Sequence, residues 1–218
     1  MGRFGSEHLN RPNRQIVGVF GGSFDPPHIG HQALVRAAFC LPGLDEVWVI
    51  PVGVPVHRAL SGRADAHTRL LWTRRIFAGE PRVHVQDWEV RRQQPTSALH
   101  TLQYISRQYP QVSPVLLLGA DAFAGIESWV GYPEHRHFCD VAVFGRAGQA
   151  IPEIDGWQFV PVSAWQHTQG TGHVLVMDVS LPDISATQLR GEALQGKPLR
   201  DRVPAEVCQE VEQAYGPA

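Results

Sequence analysis

The chain has 218 residues, 43% of them hydrophobic and 18% charged, with a formal net charge of -2 at neutral pH. That balance is ordinary for a globular protein and excludes a long disordered chain or a nucleic-acid-coating protein. With no global positive field, any anionic ligand must be held by a compact arrangement of Arg, His and backbone N–H groups.

Short runs rich in Val, Ile and Leu alternate with stretches of helical spacing, the pattern of a parallel sheet with crossover helices. In chain order the pattern predicts a strand at 15–20, a helix at 30–40, a strand at 46–52, a helix at 67–78 and a strand at 83–90. A helix at 97–108, a strand at 114–120, a helix at 122–129 and a strand at 140–146 follow. Residues 147–172 have little helical period and read as irregular or as carrying a short strand at 157–160. A strand at 173–179 and helices at 185–195 and 204–214 close the chain. The fold class is α/β, a doubly wound parallel sheet. Residues 1–14 read as a flexible polar arm and 15–218 as one domain, whose C-terminal helical part spans about 184–214.

Cys40, Cys139 and Cys208 are far apart and include no C-x-x-C pair, so they read as buried thiols of a reducing compartment. No apolar run reaches bilayer length, and the N-terminal segment lacks the apolar core of a secretory signal. The expected location is cytoplasmic, with neither a membrane nor a nucleic-acid polymer as partner.

The most informative stretch is "GGSFDPPHIGH", residues 21–31. Gly21 and Gly22 after the first strand let the backbone approach a ligand, yet the segment fits neither G-x-G-x-x-G nor the P-loop pattern. Pro26 and Pro27 then fix the approach of a helix beginning near His28, which puts His28 and His31 one turn apart on the same face. Beside a glycine turn and a helix N-terminus, two imidazoles can donate to phosphate oxygens, and Gly30 leaves room for a flat ring or a sugar. A zinc pair fits the spacing but lacks a third ligand, and a purely structural pair is the remaining alternative. The position at the end of the first strand is where open α/β sheets bind ligands.

A second candidate lies at "DISATQLR", residues 183–190, where Ser185 can cap a helix and Arg190 can supply charge to a bound phosphate. Alone it reads as an ordinary capped surface helix; beside the histidines it reads as the second wall of an anion site. His57, His67, Arg69 and Trp72 divide evenly between substrate contact and packing. Asp87, Trp88 and Glu89 read as a solvated rim in preference to a substrate loop, which is the second reading, and the histidines of "HRH" at 135–137 as surface residues.

Together, "GGSFDPPHIGH" and "ISATQLR" resemble the nucleotidyltransferase superfamily marked by H-x-G-H and I-S-S-T-x-x-R motifs. The stretches "VIPVGVPVHR", "RRQQPTSALHTL" and "LLLGADAFAGIESW" are most similar to its nicotinate-nucleotide adenylyltransferase branch. The resemblance runs from residue 16 to about 213 and implies a Rossmann-like sheet. It further implies transfer of an adenylyl group from ATP to nicotinate mononucleotide, giving the deamido dinucleotide and pyrophosphate in NAD biosynthesis.

By that resemblance His28, His31 and Arg190 carry the catalytic contacts to the triphosphate. Gly21, Gly22, Ser23, Phe24, Gly30, Gly119, Asp121, Arg146, Ser185 and Thr187 surround ATP. Arg58, Thr96, Ser97 and Trp129 contact the mononucleotide, with Trp129 stacking on the pyridine. Mg²⁺ is expected to ride mainly on the substrate phosphates, since the sequence offers no carboxylate cage. Thr96, Ser97 and Ala98 stand where the family often has Ser-Tyr-Thr, and Ala186 replaces a serine. The acceptor therefore stays open between nicotinate mononucleotide, its amide and another phosphorylated small molecule. A nucleotide-binding sensor without turnover is the alternative outside the enzyme class, and a homo-oligomer is left open.

Overall fold

The computed structural model describes residues 14–56, 64–145, 150–167 and 170–217. In chain order these residues form β1 (Gln15–Gly22), α1 (Ile29–Ala38), β2 (Leu44–Pro51), β3 (Val54–Pro55), α2 (Ala66–Ile76), β4 (Val83–Val85), α3 (Trp88–Arg92), β5 (Pro95–Thr96) and α4 (Ala98–Gln108). They continue as β6 (Val112–Gly119), α5 (Ala120–Ala124), β7 (Asp140–Phe144), β8 (Gln158–Phe159), β9 (His173–Met177), α6 (Ala186–Leu194) and α7 (Ala205–Tyr215). Short 3-10 turns lie at Ile126–Ser128, Glu134–His137 and Val162–Ala164.

Seven strands pair in parallel in the order β4-β2-β1-β6-β7-β9-β8. The central strands are buried on both faces, so their side chains divide by alternation. On β1, Ile16 and Phe20 enter one apolar layer, and Val17 and Val19 the other. Val47 and Val49 separate from Trp48 and Ile50 on β2 in the same way, as do Val115 and Leu117 from Leu116 and Leu118 on β6. Residues of α1, α2, α6 and α7 fill the first layer, while α4 and the segment around α5 contribute to the second. The two C-terminal helices thus share the core of the sheet. Trp72 of α2 is buried and donates its indole N–H to Glu210 Oε2 at 2.9 Å, so it serves packing.

The expected α/β order holds, with three corrections. The strand expected at 83–90 ends at Val85, because β4 is an edge strand whose partners on β2 are only Val47 to Val49. Beyond that ladder the chain turns into α3, and the Trp88 ring packs edge-on against Trp48 at 5.7 Å. The helix expected at 122–129 starts earlier, at Ala120, and Gly125 ends it before the 3-10 turn. Cys40 is exposed rather than buried; Cys139 and Cys208 are buried, and all three are free thiols. The short strand expected at 157–160 is β8. The expected N-terminal arm lies almost wholly outside the described residues. Among the described residues no helix is long and apolar enough to cross a membrane.

Candidate active site

The sheet changes direction between β1 and β6: from β1 the chain builds outward through β2 to β4, and from β6 through β7 to β9. At such a point the loops leaving the strands diverge and open a crevice. A cavity of about 370 Å³ lies there, lined by Gly21, Gly22, Ser23, Ile50, Leu116 and Leu118 at the strand ends. Pro55, Glu89, Thr96, Ser97, Ala98, Trp129 and Val130 close its far side.

The turn leaving β1 is held from below. Phe24 is fully buried with φ of 48°, a left-handed conformation costly for a bulky residue. Its ring meets Phe20 edge-on at 5.5 Å and lies 4.8 Å from the His31 ring. Phe24 therefore contributes backbone to the turn; its side chain is closed off from any ligand. Arg69 of α2, only 1% exposed, donates from Nη1 to the Ser23 carbonyl at 2.5 Å and from Nη2 to the Val52 carbonyl at 2.8 Å. One buried guanidinium thereby ties the turn after β1 to the loop after β2, which resolves Arg69 as a positioning residue.

His28 caps α1 and is 7% exposed; His31 is half-buried one turn later. Their rings stack at 3.7 Å with planes 27° apart. The His28 backbone N–H donates to His31 Nδ1 at 3.0 Å, so neutral His31 carries its proton on Nε2, where it can donate to a ligand. Burial pushes His28 down to about 4, and burial with the neighbouring His28 pushes His31 well below the ordinary imidazole value. Both rings are neutral at pH 7 without ligand. The space at Gly30 is not open for a sugar as expected: a Cβ there would lie 2.9 Å from His28 Nδ1, so the glycine makes room for the imidazole.

The distal motif meets this turn from the opposite side. Ser185 caps α6 by accepting from the Gln188 N–H at 3.2 Å. Arg190 on α6 donates from Nη1 to the Asp25 carbonyl at 2.6 Å and from Nη2 to Thr187 Oγ1 at 3.2 Å. Residues 165 positions apart in the chain are joined by that first bond. Gly119 ends β6 with open space where a Cβ would stand, and Asp121 is exposed on the first turn of α5.

On the far side of the cavity, Thr96 sits in the two-strand pairing of β5 with β3 and donates its hydroxyl to the Gln94 carbonyl at 3.0 Å. Ser97 caps α4, its hydroxyl accepting from the His100 N–H at 3.3 Å. Trp129 is half-buried on the cavity wall and packs edge-on against His135 at 5.8 Å. His135 is fully buried, contrary to the surface reading of "HRH". Arg58, Arg146 and His57 lie outside the described residues; His67 is exposed on α2. No cluster of three or more His, Cys, Asp or Glu side chains suited to a metal occurs among the described residues.

Glu89 is a buried cavity wall residue, which corrects its preferred reading as solvated rim. Thr101 donates its hydroxyl to Glu89 Oε1, and the Gly53 N–H also faces the carboxylate. Burial outweighs both bonds and raises Glu89 to about 7. The strand reading of 83–90 hid it; on a helix, its proximity to Thr101 follows from how α3 packs on α4. Sequence reasoning missed Asp25: it is 1% exposed and bound by Tyr215 and Arg190.

Residues 19–192 match the model of the cytidylyltransferase-like family. The chain is 32% identical over 209 residues to a Thermotoga maritima protein named "Probable nicotinate-nucleotide adenylyltransferase", covering 95% of each chain. It is 32% identical over 189 residues to the protein of the same name in Chromobacterium violaceum, covering 84% of this chain and 89% of that one. The Plasmodium falciparum nicotinic acid mononucleotide adenylyltransferase complexed with NaAD superposes with a TM-score of 0.70 at 14% identity, over 92% of this chain and 96% of that one. The last likeness concerns the fold; the family model and the sequence relatives, spanning the cavity and both motifs, establish that the chain belongs to the cytidylyltransferase-like family, in its nicotinate-nucleotide adenylyltransferase branch.

Proposed function

We infer that the protein is an adenylyltransferase that joins ATP and nicotinate mononucleotide, releasing pyrophosphate and nicotinate adenine dinucleotide, a step of NAD biosynthesis. The observation that carries this reading is the bond from Arg190 to the Asp25 carbonyl, because it joins two remote motifs as the two walls of an anion site next to the cavity at the strand ends.

The triphosphate lies against Gly21, Gly22 and the Ser23 backbone, with Gly119, Asp121, Ser185 and Thr187 around the nucleotide. The His31 Nε2–H and His28 donate to phosphate oxygens, and Arg190 supplies fixed positive charge. The mononucleotide occupies the cavity, its pyridine against Trp129 and its carboxylate end towards Thr96, Ser97 and the start of α4. Its phosphate oxygen attacks the α phosphorus of ATP in line; the new P–O bond forms as the bond to the β-phosphate bridging oxygen breaks, and the electron pair leaves with pyrophosphate. The attacking group is already an anion, so no general base is required. Two anions must instead be brought together while charge grows on the leaving group, a task of positioning and electrostatics.

A divalent cation, proposed as Mg²⁺, fits a site of imidazoles and arginine when it is held by phosphates and water rather than by a carboxylate cage. It would offset the negative charge of the triphosphate. The test measures pyrophosphate release with ATP and the acid or amide mononucleotide in turn, with Mg²⁺ present or chelated. The reading requires faster release with the acid; equal rates, or release with neither, would overturn it.

A further inference from the structure

Asp25 carries a buried carboxylate between two guanidiniums. Arg69, pinned by the Ser23 and Val52 carbonyls, feels its charge from one side. Arg190 approaches from the other, 3.8 Å from Oδ2 while bonded to the Asp25 carbonyl. The remaining oxygen, Oδ1, accepts the hydroxyl of Tyr215, the last residue of α7. Tyr215 is 4% exposed, and its ring lies 6.2 Å from Trp72. Burial and the facing Asp25 hold the phenol protonated, so it acts as a donor to the carboxylate.

This arrangement bears on how Arg190 meets a polyphosphate. A guanidinium and a carboxylate bind most strongly as a two-bond fork, and Arg190 is less than 1 Å from bonding distance to Oδ2. The phenol on Oδ1 competes for the position that the second bond of the fork would take, and so opposes its closing. Without the phenol, Oδ1 loses its buried donor, and Arg190, already 3.8 Å from Oδ2, is the cation placed to close the fork by exchanging its bond to the Asp25 carbonyl for the carboxylate. We propose that Tyr215 is a positioning residue for ATP binding: its hydroxyl occupies Asp25 Oδ1 and so keeps Arg190 at the Asp25 carbonyl, oriented towards the triphosphate. The C-terminal helix thereby sets the cation of the anion site.

The proposal rests on the assignment of Arg190 to the triphosphate. The experiment compares wild type, Tyr215→Phe, Asp25→Asn and the double variant in steady-state kinetics. Binding of a non-hydrolysable ATP analogue is measured alongside by calorimetry. Tyr215→Phe keeps the ring against Trp72 and removes only the hydroxyl. The expected result is a rise of about tenfold in KM for ATP and in Kd for the analogue, the scale of one lost buried hydrogen bond. The KM for the mononucleotide stays within twofold, and adding Tyr215→Phe to Asp25→Asn changes nothing further for ATP. A fall in melting temperature with both KM values moved alike, or unchanged analogue binding, would overturn the proposal. A wild type that binds the analogue but releases no pyrophosphate would overturn the proposed reaction while leaving the comparison of Kd values intact.

Discussion

Replacing Glu89 with Gln should change how stability depends on pH. In the folded protein Glu89 stands at about 7 against an ordinary 4.5, because burial opposes its charged form more than Thr101, Gly53 and Arg92 favour it. The folded state therefore binds the proton more tightly than the unfolded chain. This contribution is fully present below about pH 4.5 and is lost as pH rises through 7. Gln has the same shape, keeps an acceptor for Thr101 and does not ionise. At about 1.4 kcal/mol per pH unit, the variant should gain about 2 to 3 kcal/mol relative to wild type between pH 5 and pH 8. Urea unfolding of the ligand-free proteins at the two pH values measures this directly. A constant offset between wild type and variant at pH 5 and pH 8 would refute the raised carboxyl. A relative gain on the acid side would refute burial as its cause. The histidines act with the opposite sign: His28 is depressed to about 4, so its stabilisation is present above its ordinary 6.5 and lost as pH falls through 4. The two slopes oppose each other in wild type, and the substitution exposes that of the histidines.

His31→Ala should lower kcat by about two orders of magnitude with little change in KM for the mononucleotide, the scale of one lost charge-stabilising donor; near-normal pyrophosphate release would refute the role. Gly30→Ala places a methyl group 2.9 Å from His28 Nδ1 and should displace the imidazole, lowering kcat about tenfold or more while the far-ultraviolet spectrum stays unchanged. Binding of ATP near pH 6 should take up protons, because a polyanion raises the depressed imidazoles. Calorimetry in buffers of different ionisation enthalpy measures the uptake, and His28→Ala should lose part of it.

Much of the architecture was legible because its causes are local. A central parallel strand must be apolar on both faces, and the runs at 15–20, 114–120 and 140–146 announce this directly. The histidine pair was legible because one helical turn is a fixed distance, and the observed stack at 3.7 Å follows from that spacing. The segment at 83–90 reads as a strand because the pairs Val83/Val85 and Trp88/Val90 each flank a polar residue, whereas the length of an edge strand depends on the ladder its neighbour offers.

Most of the sheet and its long helices, and the chemical types at their ends, follow from the order of residues: glycines, imidazoles, a capped helix with arginine. These depend on periodicity and on backbone preferences within a few residues. Which of those groups meet, and in what state, depends on how the chain packs in space. That packing turned Glu89 into a buried acid on the cavity wall, made Arg69 a tie between two loops, and filled the space at Gly30 with His28. It also brought Arg190 and Tyr215 to Asp25 across 165 and 190 positions of chain. Burial and electrostatic coupling depend on distance in space, and sequence separation carries no record of that distance once the chain has folded back on itself.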